Sequence, residues 1–586
     1  MRPICFPKKL LLLLVFITPL FIFFCYVVNP VFAQDAEKLT AEYRNFPIIG
    51  SRVAIWIIAQ LHLMFAAFVL GVPIFAVIVE VIGVCTKNEK YDKLAYDFTK
   101  LLPTAFTFTV ILGALLAFSL FVLYPKFMQY LTEIFSGQMI AYAMVFFGES
   151  VCAYTYYYGW VKMKKSPSLK WAHVTIGVFL NLFGTTLLLI ADSWTTFQMS
   201  PGGIDPETHK LTSLSEAIQN FLWWPLNIHR LIANVAFGGA VVALYAAYRF
   251  LKTPPEEKEE RAHYDWMAYT GNMIAVFALL PLPFAGYYFA FEIRSYDFAL
   301  ITILMGGSFA WVFIMQAILI GTLFICTNYY LWIGMNRIPG GERYQKYILG
   351  MLTIIIVSFG VWMTPHTMVA TLSEARKMGA AHHPLLDFFG QMPAKMTAVN
   401  LIILTTILTF TFYRRSNLVP TVDVKWRYIL KGLQTLVFTA AAILVLYFGI
   451  RSFPPTPKDV AIRFSIYQVI PVLTCYVAMI GIDVPLFRRA KSLGNVAWGQ
   501  MPARSQYILV LITVAFSITM ALMGFVRSGV RGPWHVYGVM KDTSPDAWIP
   551  PLAFSSFMMV LCAVIFLGMM ALVFWLTLLR DEPGKH

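Results

Sequence analysis

Apolar runs long enough to cross a lipid bilayer recur along almost the whole 586-residue chain. One crossing by an α-helix takes about 20 predominantly apolar residues. Only 13% of the residues are charged and 59% are hydrophobic, whereas a soluble domain carries about twice that charged fraction. Because lipid offers the backbone no hydrogen-bond partner, runs of this length predict helices. We therefore predict an all-α, polytopic transmembrane helical bundle of about thirteen spans, preceded by an N-terminal signal or anchor segment.

The predicted spans follow one another with short loops between them. They are expected at 53–84, 103–124, 137–161, 171–192, 222–250, 266–290, 298–333, 345–369, 397–413, 428–449, 464–486, 506–526 and 551–579. Residues 1–33 have a basic start, a leucine-rich middle and small residues up to Ala33. This pattern is typical of a signal peptide, although the apolar part is also long enough for an uncleaved anchor.

Lysines and arginines indicate the orientation of the spans. With residue 34 outside, the loops after odd-numbered spans are cytoplasmic, and these loops carry pairs such as Lys164-Lys165 and Arg414-Arg415. This distribution agrees with the positive-inside rule. We expect a multi-pass protein of the prokaryotic inner (cytoplasmic) membrane, with the N-terminus outside after signal cleavage and the C-terminus in the cytoplasm.

Charge and cysteine usage exclude other classes of protein. The net charge of +15 is spread over short loops as membrane topology requires, so we expect no nucleic-acid partner. The seven cysteines are scattered, and no Cys-x-x-Cys pair is present. This spacing argues against covalent c-type haem and zinc-ribbon sites.

The fifth predicted span contains a histidine followed by small residues. His229 lies near the external end of this span, and Ala233, Ala236 and Ala240 follow on the same helical face. A histidine above a smooth floor of alanines suits a haem, because the imidazole reaches the iron and the floor leaves room for the ring. The alternative is that the alanines only let helices pack closely.

Other candidate residues also lie inside predicted spans, where ionisable side chains are costly. His62 lies in the external half of the first span and His366 near the external end of the eighth. Glu149 lies in the middle of the third span. It is either a proton relay, a group beside a haem or a protonated carboxyl that helps the helices to pack. Met305 has the depth of His229, and a His/Met pair is a known axial set for haem iron.

A basic and aromatic segment ends the twelfth span on the external side. It contains Arg527, Arg531, Trp534 and His535. The arginines and Trp534 are either ordinary interfacial anchors or partners of haem propionates, which suit a bidentate guanidinium.

Taken in order, these motifs resemble subunit I of the cytochrome bd quinol oxidases. The resemblance covers about 50–320 and 505–580, where the matching motifs are the first span with His62, Phe-Phe-Gly-Glu-Ser around Glu149 with Gly159-Trp160 after it, Ala191-Asp-Ser-Trp194, the His229 helix, and Arg531-Gly-Pro-Trp534. It divides the chain into a haem-binding core (34–340), a four-helix insertion (341–490) and a C-terminal helical pair that completes the core (491–586).

The resemblance also implies ligands and partners. His229 and Met305 would ligate a low-spin haem b that receives electrons from quinol, and His62 a haem of a high-spin pair of the b or d type. Glu149 would belong to the proton or haem environment of that pair. Arg531 would be a catalytic residue beside the high-spin haem pair, and Trp534 would help to bind haem. A second membrane subunit is implied as well.

Three departures from the family pattern bear on function. Ala141 stands where the family has a second glutamate, and Ser528 stands where the family has a glutamate that ligates a high-spin haem. The external quinol loop is reduced to about 291–297. His366 and His535 are the candidates to replace the ligand missing at Ser528.

These observations leave three functional hypotheses. The first is a quinol oxidase subunit that passes electrons to dioxygen. The second is a quinol dehydrogenase or electron-transfer subunit that hands electrons to an external partner, which the missing ligand and the short loop favour. The third is a proton-coupled transporter, although the spans show no clear inverted repeat.

Overall fold

The structure is a computed structural model and describes residues 41–305, 309–364, 388–422, 424–453, 456–487, 490–545, 547 and 552–580. The predicted signal or anchor segment and His366 lie outside the described residues. Within these ranges, thirteen helices are long and apolar enough to cross a membrane. The prediction of a polytopic helical bundle of about thirteen spans is therefore confirmed.

The helices are numbered here in chain order. In the first half they are α1 (Ser51–Thr86), α2 (Glu89–Thr99), α3 (Leu102–Leu123), α4 (Pro125–Met163), α5 (Pro167–Phe197), the short α6 (Leu214–Ile218), α7 (Trp223–Lys252), α8 (Lys258–Leu279), α9 (Leu282–Tyr296) and α10 (Phe298–Met305). In the second half they are α11 (Phe309–Gly334), α12 (Glu342–Trp362), α13 (Met392–Arg415), α14 (Val424–Arg451), α15 (Lys458–Tyr467), α16 (Val469–Phe487), α17 (Ala503–Val530) and α18 (Leu552–Arg580). A 3₁₀ turn, Met335–Arg337, follows α11.

Two small antiparallel strand pairs lie in loops at opposite ends of the bundle. Strands β1 (Leu418–Val419) and β2 (Lys491–Ser492) pair with Leu418 opposite Ser492. Strands β3 (Trp534–Val536) and β4 (Met540–Lys541) form a hairpin that follows α17. The end of the bundle with β3 and β4 is called the external end below, according to the predicted orientation, and the other end is called the inner end.

Several helix boundaries follow from local sequence. The Asn88 side chain caps α2 by accepting from the backbone N–H of Lys90, and Ser166 caps α5 in the same way, with Pro167 at its first position. Pro281 interrupts the predicted sixth span between α8 and α9, because proline lacks the backbone N–H that would continue the helix. The third span begins earlier than predicted, at Pro125, and bends at Phe135.

Helix α7 lies at the centre of the first half and packs against α1, α8 and α17. Its close approach to α8 depends on glycine: a Cβ at Gly239 would lie 2.8 Å from the carbonyl oxygen of Gly271. Such close approach is typical of small residues in membrane helices. It fixes the position of α7, and therefore of His229, relative to the other helices.

Candidate haem site at the external end

His62 on α1 has one ring nitrogen held and the other available. Its Nδ1 lies 3.0 Å from the carbonyl oxygen of Thr109 on α3, so Nδ1 is the protonated nitrogen that donates to this carbonyl. Nε2 makes no hydrogen bond within the described part of the chain. Gly113 leaves room for the ring, since a Cβ there would lie 2.8 Å from its Cε1. An imidazole fixed through Nδ1 with Nε2 free is the usual arrangement of a metal-ligating histidine.

His229 lies near the start of α7 and is half-buried. Its ring makes no hydrogen bond to the described residues. The nearest neighbours are on α9: a Cβ at Gly286 would lie 3.7 Å from Cδ2 and Nε2, and the Phe289 ring is 6.4 Å away between centroids. A structural histidine would be expected to donate to a backbone carbonyl, so this ring is free to bind a ligand.

The alanine floor predicted below His229 is only partly present. Ala236 and Ala240 are fully buried in the helix-packed core, and the carbonyl oxygen of Ala240 accepts a hydrogen bond from Thr513 on α17 at 3.0 Å. The prediction of an open floor is wrong at these two positions, because the small side chains let α17 pack directly onto α7. Ala233 remains half-buried. Of the three predicted floor residues, only Ala233 is therefore not fully covered by neighbouring helices.

Four arginines surround this region, here called the external arginine cluster: Arg52, Arg230, Arg527 and Arg531. Arg230 forms an ion pair with Asp192 on α5, which is fully buried, and lies within electrostatic range of both His62 and His229. The charge of Arg230 therefore acts on both histidines.

The cluster has more cations than anions. Arg52 pairs with Asp542 at 3.6 Å and donates to the carbonyl of Ser528 at 2.9 Å. Arg527 and Arg531 have no carboxylate partner among the described residues. Burial and the nearby charges of Arg52 and Arg527 lower the pKa of Arg531 well below its usual range. A buried charge without a partner is costly, so this excess favours binding of an anion.

The residues after α17 form the external hairpin. Arg531 donates to Gln198 and to the carbonyl of His535. The centroids of the Trp534 and Tyr537 rings are 6.3 Å apart. The Lys541 ammonium lies 5.3 Å from the centroid of the Trp534 ring. The hairpin therefore holds Arg531 in its position within the external arginine cluster.

His535 is packed between two aromatic rings. Its centroid lies 4.6 Å from that of Tyr124 and 4.7 Å from that of Phe127, and its Nε2 is 3.5 Å from Asp542. Burial and the charges of Arg531 and Arg52 lower the pKa of His535 to about 3. His535 is thus a neutral imidazole within the hairpin, and its role as a replacement ligand stays a prediction.

Glu149 on α4 lies in a separate cleft between α1, α4, α5 and α7. The carboxyl group is buried and has no hydrogen-bond partner among the described residues. Gly184 provides its space, since a Cβ there would lie 3.0 Å from Oε1. The same cleft is lined by Asn181 and Asn234, whose Oδ1 and Nδ2 atoms respectively are buried and unpartnered. Unpartnered polar atoms of this kind suit a bound water or a transferred proton.

Met305 is the last residue of α10, and its side chain is outside the description. Within the described ranges, no group of three or more His, Cys, Asp or Glu side chains is placed to hold a metal ion. Haem iron needs only one or two axial protein ligands, so His62 and His229 are each sufficient as single ligands.

Arg52 and Arg230 also belong to the external arginine cluster, although they were not among the residues predicted from the sequence. Arg230 directly follows His229, and Arg52 stands at the start of the first span. A charge inside or at the edge of an apolar run is the signal that could have identified them.

Comparisons with known proteins show what this chain is similar to. Residues 51–297, less than half of the chain, match the family described as cytochrome bd terminal oxidase subunit I. Over these residues the chain is similar to this family. The match includes His62, Glu149 and His229, and ends before Met305 and the predicted insertion.

Individual relatives are distant. The chain is 23% identical over 222 residues to a protein of Bacillus subtilis (strain 168) described as a putative cytochrome bd menaquinol oxidase subunit I, and this covers 37% of the chain and 49% of that protein. The chain therefore matches about half the length of this relative. The solved bd oxidase of Geobacillus thermodenitrificans aligns with a TM-score of 0.47 and 12% identity, over 91% of this chain and 98% of that chain.

Proposed function

We propose that this protein belongs to the cytochrome bd family, binds haem at its external end, oxidises a quinol and passes the electrons to dioxygen as a terminal oxidase subunit. The proposal includes a low-spin haem b and further high-spin haem of the b or d type. Its partners would be the quinol, the surrounding lipid and a second membrane subunit.

The observation that carries the proposal is the arrangement of His62. A backbone carbonyl orients its Nδ1 at 3.0 Å, Gly113 makes room for its ring, and Nε2 has no hydrogen-bond partner among the residues that the structure describes. A merely structural histidine in a membrane span would use both nitrogens or pack its ring fully.

The residues at the external end fit a haem. His62 and His229 offer free ring nitrogens, with Met305 proposed as the second ligand beside His229. Arg527 and Arg531 form no ion pair with a carboxylate in the described part of the chain, and two haem propionates would supply the missing negative charges. Bound haem would supply one-electron transfer, which the side chains of this chain cannot perform.

Protein groups would then hold and move protons. The buried carboxyl of Glu149 can carry a proton in a cleft where Asn181 Oδ1 and Asn234 Nδ2 lack partners among the described residues. A buried ionisable group within a helical bundle is suited to pass a proton between the inner end and the site.

The experiment is haem analysis of the purified full-length protein and of matched variants. We expect His62→Ala and His229→Ala each to lose at least one haem from the pyridine haemochrome count, and the His62→Ala spectrum to lose its CO response. His209→Asn is the control, since His209 lies in an exposed external loop with a positive φ that asparagine tolerates. Unchanged haem content in both alanine variants would remove the proposal.

A second function has one specific observation in its favour: an electron-transfer subunit that does not reduce oxygen. The Ser528 position, where the family has a haem-ligating glutamate, is buried, and its carbonyl accepts from Arg52. Oxygen consumption with a reduced quinol distinguishes the two functions. Haem that is reduced by quinol, without CO binding or oxygen uptake, would favour the second.

A further inference from the structure

A groove lies between one helix of the predicted core and two helices of the predicted insertion, and it reaches toward the inner end of the bundle. Its walls are α8, α13 and α16, and its apolar lining includes Phe277, Ile407, Phe410 and Ile480. The rings of Phe277 and Phe410 contact each other at 4.6 Å between centroids. From Ile407 to Arg414 the groove extends for two helical turns, about 10 Å.

Arg414 stands at the mouth of this groove, with 42% of its side chain exposed. Its Nε lies 3.3 Å from Asp483 Oδ2, and its two terminal amino groups have no recorded partner among the described residues. The guanidinium is therefore anchored on one edge and open on the other.

Asp483 also pairs with a second arginine, Arg415. Arg415 donates to Asp483 Oδ1 from Nε at 3.0 Å and from a terminal amino group at 2.8 Å. Arg415 also donates to Gln434 on α14. One turn before Gln434, the half-buried Lys431 has no partner among the described residues. Two arginines thus share one carboxylate, and Lys431 adds a further cation near Arg415.

We propose that this groove binds one anionic phospholipid of the leaflet at the inner end, with an acyl chain along the apolar lining and the phosphate at Arg414. The occupant follows from charge complementarity: the mouth has a net positive charge, and basic pockets between membrane helices bind acidic head groups. An apolar tail fits because, apart from Thr411 and Tyr476, the lining away from Arg414 and Asp483 is apolar. This inference goes beyond the haem site and does not depend on it.

The test is native mass spectrometry of the purified full-length protein after delipidation and incubation with equal amounts of phosphatidylglycerol and phosphatidylcholine. We expect one retained phosphatidylglycerol, favoured over phosphatidylcholine. Arg414→Gln should lower this preference on the order of fivefold, since each basic residue near a lipid surface contributes about that factor. Arg414→Lys should keep most of it.

Two further variants make the result specific. Arg504→Gln removes an exposed arginine from the start of α17, at the same end of the bundle, and should leave the preference unchanged. Ile480→Trp fills the groove without changing charge and should abolish retention of both lipids. Thermal unfolding in lipid-free detergent checks that each variant is folded.

Three outcomes would overturn the inference. Arg414→Gln could bind as the unchanged protein does, or Arg414→Gln and Arg504→Gln could lose preference equally, which would indicate general surface charge. A quinone found in place of the lipid would assign the groove to another ligand.

Discussion

The two ends of the helical core differ in how their buried charges are paired. At the inner end, Glu80 on α1 is fully buried and pairs with Lys170 at 2.7 Å and with His173 at 2.7 Å, and it accepts from the Tyr156 hydroxyl at 2.7 Å. Lys170 also pairs with Asp92 at 2.6 Å. We refer to these five residues, with Lys164, as the inner ion-pair network.

At the external end, the arginine cluster leaves Arg527 and Arg531 without a carboxylate in the described part of the chain. In the inner network, two carboxylates meet two lysines, so its charges balance within the protein. The comparison teaches that the buried charges of the inner network are matched within the protein, whereas the external cluster has excess positive charge, which favours binding of an anion. His173 and His62 illustrate this: both ring nitrogens of His173 are used, at 2.7 Å each, and only one of His62 is used.

The largest expected effect is on the inner network. Glu80→Gln should lower the free energy of unfolding by about 3–5 kcal/mol, because it leaves Lys170 partly unpaired in a buried position. Denaturant titration in detergent micelles measures this change. The control is Glu42→Gln, which breaks an exposed ion pair with Lys126 and should cost less than about 1 kcal/mol. Equal losses in the two variants would contradict the comparison.

The next effect concerns pH and His535. Because the pKa of His535 is lowered to about 3 in the folded protein, against about 6.5 for an unfolded histidine, the unfolded chain binds the extra proton between these values. Stability should therefore fall as the pH drops below about 6.5, by on the order of 1–2 kcal/mol between pH 7 and pH 5.

His535→Gln should remove this part of the pH dependence, as measured by unfolding at pH 7 and pH 5. If the variant and the unchanged protein lose the same stability on acidification, His535 is not the responsible group.

A smaller effect separates ligand binding from stability at the external end. Arg527→Gln removes a cation without a carboxylate partner, so the haem-free protein should gain about 1 kcal/mol of stability. The same change should weaken haem retention during dialysis against apomyoglobin. Arg504→Gln should change neither quantity. A loss of stability in haem-free Arg527→Gln would show that Arg527 has a structural role.

The smallest effect is expected at the edge of the inner network. Lys164 pairs with Asp92 at 3.2 Å and has 49% of its side chain exposed. Lys164→Gln should cost at most about 0.5 kcal/mol, since solvent screens such a pair. A cost near that of Glu80→Gln would mean that Lys164 acts as part of one cooperative unit.

The sequence by itself determined the fold class, most span positions and His62, His229 and Glu149 as candidate residues. It could do so because span length and the cost of intramembrane charge are local properties of the chain. Arg531 was also identified from its segment alone.

Only the tertiary structure decided which charges lack partners and which small residues face a space. The sequence predicts that Ala236 and Ala240 line an open surface below His229. In the structure both residues are buried, and α17 packs against α7 at Ala240. Likewise, the pairing of Arg230 with Asp192 and of Glu80 with His173 joins residues on different helices. The spacing along one helix cannot reveal these contacts, because which helix packs on a given face depends on the close approach that distant glycines and alanines permit.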